Sequence, residues 1–182
     1  MVAGYRAGAF PMDILGADGP VGWYTADPRW VIPMPDARIP ATVRRMLRRR
    51  RYEVRMDTAF RDVLTRCGGD RGGVWLTPRL MNGYEALFAR GIAYSVEAWQ
   101  GNVLVGGLFG VRMGRVLTAE SMFHRAPDGG NAAIAGLIGI ARAEGATLVD
   151  VQMESPHLAR FGARGMPHDE FTGHLVRTRD LG

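Results

Sequence analysis

The chain has 182 residues, is 47% hydrophobic and carries a net charge of +5, which suits one ordinary domain, or a full domain with a small appendage, built around a real core. All 23 basic residues are arginine, so Schiff-base, P-loop and general-base lysines are excluded, while planar guanidinium groups remain for bidentate contact with phosphate. The one cysteine, Cys67, excludes an internal disulfide framework and any multi-cysteine zinc site. With no apolar run of membrane-spanning length and no signal-peptide pattern, the expected location is the cytoplasm.

In chain order, residues 1 to 36 are rich in Gly, Pro and aromatics and are broken by Phe10-Pro11, Gly19-Pro20, Asp27-Pro28, Ile32-Pro33 and Met34-Pro35, a pattern of short strands and turns. From Ile39-Pro40-Ala41-Thr42 a helix is expected, with Val43, Met46 and Leu47 on one face and arginines crowding its end. A strand over residues 52–56 follows, then a helix capped by Asp57-Thr58 and ending near Cys67, and a loop over residues 68–73. Trp75-Leu76-Thr77-Pro78 opens a further helix, whose Leu80, Met81, Tyr84, Leu87 and Phe88 recur at helical spacing.

Beyond this, residues 93–99, 103–112 and 116–122 read as an antiparallel meander turning at Gly101-Asn102 and Met113-Gly114. A helix over 131–144, a strand over 147–153, a short helix over 157–161 and a last segment around Phe171 complete the chain. The order predicts an α+β fold with a mixed, largely antiparallel sheet covered by helices.

Three clusters carry candidate chemistry. Period-two alternation puts Asp150, Gln152 and Glu154 on one strand face and Val149, Val151 and Met153 on the other, so the polar row either lines a pocket or is the solvated face of an edge strand. Glu120, just before Ser121-Met122-Phe123, needs a positive partner, either a structural arginine or an incoming ammonium. Arg44, Arg45, Arg48, Arg49, Arg50 and Arg51 place six arginines in eight residues, a density that favours a polyanion over a merely solvated face and points to phosphates of a structured RNA.

Taken together, the ordered stretches resemble the leucyl/phenylalanyl-tRNA-protein transferase family. They are residues 5–12, Trp23-Tyr24-Thr25-Ala26-Asp27-Pro28-Arg29, Trp75-Leu76-Thr77-Pro78, residues 95–101 and 104–111, Glu120-Ser121-Met122-Phe123, and Asp150-Val151-Gln152 followed by Pro156-His157-Leu158. The resemblance implies a small N-terminal α/β domain over residues 1–36 and an acetyltransferase-like (GNAT-like) domain over 37–182. It implies transfer of Leu, Phe or Met from aminoacyl-tRNA to the α-amino group of a protein beginning with Arg or Lys, which marks that protein for degradation. Neither a metal nor a coenzyme is implied.

By the same resemblance Asp150, Gln152 and Glu120 are the catalytic residues. Gln152 is expected to orient the amine or the terminal ribose, Asp150 to hold Gln152 and favour proton loss, and Glu120 to bind the acceptor's positive charge. Leu108, Met122, Leu137 and Val149 are implied to line the aminoacyl pocket, and Tyr5, Met12 and Trp75 to hold the terminal adenosine. The chain departs from the family in having Met12 where Trp is common, Gly130-Asn131 for a Ser-Lys pair and Val151 for Cys, and in lacking a counterpart of a Gly-Gly-Asp-Leu segment. The adenosine side is therefore expected to be incomplete or rebuilt. Three alternatives stay open: aminoacylation of a small-molecule amine, RNA binding without catalysis, and acetyl transfer from coenzyme A, the last poorly served by Asp128-Gly129-Gly130-Asn131.

Overall fold

A computed structural model of the chain describes residues 1–13, 19–69 and 75–179. Helix α1 (Val2–Arg6), strands β1 (Phe10–Met12), β2 (Gly22–Tyr24) and β3 (Arg29–Pro33), helix α2 (Ala41–Arg48), strand β4 (Glu53–Met56) and helices α3 (Phe60–Gly69) and α4 (Pro78–Phe88) make the first half. Strands β5 (Ala93–Gln100), β6 (Val103–Met113), β7 (Val116–Thr118) and β8 (Ser121–His124), helix α5 (Gly129–Ala143), strand β9 (Leu148–Gln152), helix α6 (Pro156–Ala159), strand β10 (Arg164–Met166) and helix α7 (His168–Arg179) make the second.

Strands β1 and β2 form a hairpin of their own, and the other eight form one sheet in the order β10-β3-β9-β7-β6-β5-β4, with β8 also paired to β6. Every pairing is antiparallel except that of β7 with β9. The expected mixed, mainly antiparallel sheet flanked by helices is therefore what the chain builds. One core gathers Val43 and Met46 of α2 and Ile134, Leu137 and Ile138 of α5 against Val96, Leu108 and Val149. On the other side Val63 and Leu64 of α3 and Leu80, Tyr84 and Leu87 of α4 pack with Phe109, Val111 and Phe123. Along β6, Leu108 faces the first core and its neighbour Phe109 the second, as a strand covered on both sides requires.

Several expectations change. Residues 1–36, expected as short strands and turns, begin with helix α1, and β3 joins the large sheet between β10 and β9. Asp57 and Thr58 do not cap α3 with their own side chains. Asp57, at φ +58°, accepts from the Ser95 amide, and the carboxylate meeting the amides of Thr58 and Ala59 belongs to Glu97, wholly buried on β5. The strand expected over 116–122 is two strands. Helix α5 starts two residues earlier than expected, α6 ends before Phe161, and β10 was not anticipated. Thr77 caps α4, accepting from the Leu80 amide, and residues 70–73 of the expected loop lie outside the described residues.

The split of β7 from β8 positions the site. Strand β6 pairs with β7 through Arg112 and Met113, and with β8 through residues 106–109, both along the same edge. Between the two, Ala119 donates its amide to Asp150 and Glu120 donates its amide to Phe109. The chain thus steps from β9 back to β6 and leaves a gap beyond Thr118. Helix α5 closes one side of this gap by touching β6 backbone to backbone: a Cβ on Gly106 would clash with the main chain of Gly129.

Candidate active site

Strand β9 carries Asp150 and Gln152 on one face, as their spacing predicted, and both are buried. Asp150 faces Arg29, the first residue of β3, in a two-pronged ion pair: Nε donates to Oδ1 at 2.8 Å and Nη2 to Oδ2 at 2.7 Å. Oδ1 also accepts the main-chain amide of Gln152 at 2.9 Å. Gln152 ends the strand at φ +66°, in the left-handed region, and its side-chain Nε2 donates to Glu120 Oε2 at 2.8 Å. Sequence positions 29, 120, 150 and 152 thus form one chain of contacts, Arg29 to Asp150 to Gln152 to Glu120.

Glu120 receives further donors from the α4 side. Tyr84 donates to Oε2 at 3.4 Å, and the hydroxyls of Tyr84 and Tyr5 are 2.8 Å apart. Burial raises the Glu120 pKa above the ordinary glutamate range; the Thr118 hydroxyl opposes the shift, the charge of Asp150 adds to it, and Gln152 and Tyr5 oppose it. Burial, with the charge of Glu120, also pushes both tyrosines well above their usual values, so they remain donors. Among the described residues Glu120 Oε1 is buried without a hydrogen-bond partner. The site therefore holds an anionic group in a poor solvent for anions, an arrangement that favours a cationic ligand or a proton.

A cleft of about 560 Å³ opens here, lined by Glu120, Ser121 and Met122 from one side, Gln152 at the end of β9 with Met153 just after it, and Asn131 from the start of α5. Of the four residues expected to form an aminoacyl pocket, Met122 lines this cleft and packs against the core that buries Leu108, Leu137 and Val149. Glu154, third in the expected polar row, lies exposed at the mouth. Asp150 is not a free base: three donors occupy its carboxylate, and it holds Gln152 by the main chain rather than by the side-chain amide.

The three residues expected at the adenosine end sit together on the α4 side. Tyr5 is buried edge-on to Trp23, Trp75 stacks over Phe109 at 6.5 Å, and Met12 packs on the same core. Asp13, next to Met12, anchors this corner by accepting from Thr77 and Arg79 and by donating its amide to the Trp75 carbonyl. All six arginines from Arg44 to Arg51 are exposed, along the second half of α2 and just beyond it. None of the six pairs with a carboxylate among the described residues. Arg51 lies over the Tyr52 ring, whose hydroxyl donates to the Pro127 carbonyl, one residue before cleft-lining Asp128.

The residues that sequence reasoning missed are Arg29 and Tyr84. Each was visible only as part of a pattern, Arg29 in the 23–29 stretch and Tyr84 in the apolar stripe of α4. A polar atom on that stripe, the Tyr84 hydroxyl, was the available signal, since a buried hydroxyl needs a partner.

Comparison with known proteins gives the family. The family model described as "Leucyl/phenylalanyl-tRNA protein transferase" matches residues 31–176. A leucyl/phenylalanyl-tRNA–protein transferase of Herpetosiphon aurantiacus is 39% identical over 97% of this chain and 91% of its own length. One from Thiobacillus denitrificans is 39% identical over 97% and 78%, and one from Azotobacter vinelandii 38% identical over 100% and 80%. Among solved structures, L-PGS from Bacillus licheniformis superposes with a TM-score of 0.47 at 13% identity, over 81% of this chain and 55% of that one.

Proposed function

The chain belongs to the leucyl/phenylalanyl-tRNA–protein transferase family, and we propose from that premise that it moves Leu, Phe or Met from aminoacyl-tRNA to the α-amino group of a protein beginning with Arg or Lys. It is an aminoacyltransferase. The observation that carries the reading is the contact chain Asp150–Gln152–Glu120 at the cleft, formed by the residues on which the family resemblance rests. The name shared by the relatives speaks of a protein acceptor, which leaves aminoacylation of a small-molecule amine without support.

An aminoacyl ester is already activated, so the protein's task is to align the amine with the ester carbonyl and stabilise the tetrahedral oxyanion, which collapses to the amide as the ester C–O bond breaks and the terminal tRNA hydroxyl leaves with the proton that the amine gives up. Gln152, held at both ends, presents its amide to the reacting groups, and Glu120 supplies negative charge for the acceptor's ammonium. Asp150 acts through Gln152, and Met122 meets the aminoacyl side chain, with Leu108, Leu137 and Val149 setting the shape behind it. Tyr5, Met12 and Trp75 form the side for the terminal adenosine, and the arginines from Arg44 to Arg51 take tRNA phosphates. We further read the sheet and its helices as GNAT-like, with residues 1–36 as a smaller N-terminal part. Among the described residues no helix is long and apolar enough to cross a membrane, and the proposed place of action is the cytoplasm.

The test is direct. Purified protein is incubated with tRNA charged with labelled Leu, Phe or Met and a peptide beginning with Arg, and the expected product is that peptide extended by one residue. An amine-acetylated peptide stays unlabelled. Failure of all three charged tRNAs to label the Arg peptide overturns the reading.

A further inference from the structure

Arg29 is 1% exposed and among the largest wholly buried side chains of the protein. Besides its two bonds to Asp150, it donates through Nη1 to the Gly8 carbonyl at 3.2 Å. Its guanidinium carbon lies 4.7 Å from the centre of the Phe10 ring and 4.8 Å from that of Phe171. Three stretches distant in sequence therefore meet at one guanidinium: residues 8–10, strand β9 and helix α7. Desolvating a guanidinium and a carboxylate is expensive, and well-packed apolar side chains of similar volume commonly serve a fold as well or better. The fold alone gives little reason for this pair.

What the pair adds is control of Gln152. Asp150 Oδ1 accepts from Arg29 and from the Gln152 amide at once, so the guanidinium fixes the oxygen that fixes the main chain of Gln152. That amide belongs to a residue in the left-handed region, a conformation a glutamine keeps only when its surroundings impose it. In that conformation the side-chain amide reaches Glu120. We propose that Arg29 is a positioning residue for the transfer reaction, acting through Asp150 to hold Gln152 in its reactive conformation, an inference that rests on the proposed transferase activity. The planar fork is the needed part, because it sets the orientation of the carboxylate as well as its charge.

The experiment compares Arg29→Met, Arg29→Lys, Asp150→Asn and Arg29→Met/Asp150→Asn with wild type, with kinetics normalised to folded protein. Arg29→Met is expected to lower kcat about 100-fold, as small misplacements at a reacting centre do, with KM for charged tRNA and for the acceptor peptide within about 3-fold of wild type. Arg29→Lys restores part of the loss. In the Asp150→Asn background, Arg29→Met changes kcat by less than about 3-fold, since the two act as one unit. The double variant and Arg29→Lys carry the kinetic test if Arg29→Met does not fold. Hydrogen exchange gives a readout independent of turnover: the Gln152 amide is expected to exchange at least about tenfold faster in Arg29→Lys, while the Val111 amide, bonded to Thr118 Oγ1, does not change.

Wild-type kcat in Arg29→Met, a loss confined to KM, multiplicative losses in the double variant, or an unchanged Gln152 amide each overturns the proposal. An inactive wild type overturns the transferase reading instead, and the exchange measurement then decides whether Arg29 holds Gln152.

Discussion

Glu120 shows how a single residue trades stability for chemistry. Its carboxyl is surrounded by Tyr5, Tyr84, Thr118, Asp150 and Gln152, and burial raises its pKa above the ordinary range. The folded state then binds more protons than the unfolded state between the two pKa values, so stability falls as pH rises through that window. Glu120→Gln is therefore expected to unfold at a higher temperature than wild type near neutral pH. The gap should close as pH drops into the carboxylate range, each kcal/mol of relief being worth about 2–4 °C in a domain of this size. Aminoacyl transfer should fall about 100-fold in the same variant. Thermal unfolding at several pH values checks the first expectation and turnover the second; equal melting temperatures at all pH values would count against the account of burial. At this scale the sequence displayed Asp150 and Gln152 clearly, because period-two spacing needs only neighbouring residues. It hid Arg29, since an ion pair spanning 121 positions leaves no local trace.

Among elements, α5 depends on bare backbone where it meets β6. Gly106→Ala drives a methyl into the main chain of Gly129, and the start of α5, with Asn131 in the cleft, must shift. The expected cost is about 1–3 kcal/mol together with a drop in turnover. Gly139, on the exposed face of the same helix, has open space, and Gly139→Ala should stabilise by about 0.5–1 kcal/mol with turnover unchanged. Chemical denaturation of the two variants side by side makes the comparison, and similar effects from both would remove the steric argument. Element positions were largely legible: the helix after Pro40, the helix after Thr77 and the strands of the meander follow from apolar spacing and turn residues. Two things were not. The run 116–122 alternates evenly enough to read as one strand, and what divides it is pairing with two different regions, β9 and the first half of β6. The cap of α3 comes from Glu97, a strand residue almost forty positions away.

For the molecule as a whole, six exposed arginines cluster on and just after α2, and the last of them, Arg51, lies over the buried Tyr52, whose hydroxyl donates to the Pro127 carbonyl. If they take tRNA phosphates, affinity must fall linearly with salt on logarithmic axes. Replacing Arg48, Arg49, Arg50 and Arg51 by Gln should make that slope shallower by up to about 0.9 for each phosphate the protein no longer neutralises, with fold stability little changed. A titration of labelled tRNA over a salt series measures it, and an unaltered slope would move the RNA surface elsewhere. The overall α+β order could be read from the sequence, whereas the placement of β3 between β10 and β9 could not, since both partners come more than a hundred residues later.

The sheet has a seam. Strand β6 is shared by two halves that part company at residues 119 and 120, one running through β7 to β10, the other through β8 and β5 to β4. Ser121 and Gln152 stand on opposite banks of that seam. A molecule seated between them is a clip as much as a cargo: gripping both banks, it resists their separation, and by thermodynamic reciprocity whatever keeps the banks together tightens its grip. Occupancy of the cleft and cohesion of the sheet then become two readings of a single free energy, and amides on both sides should slow their exchange together when the cleft fills.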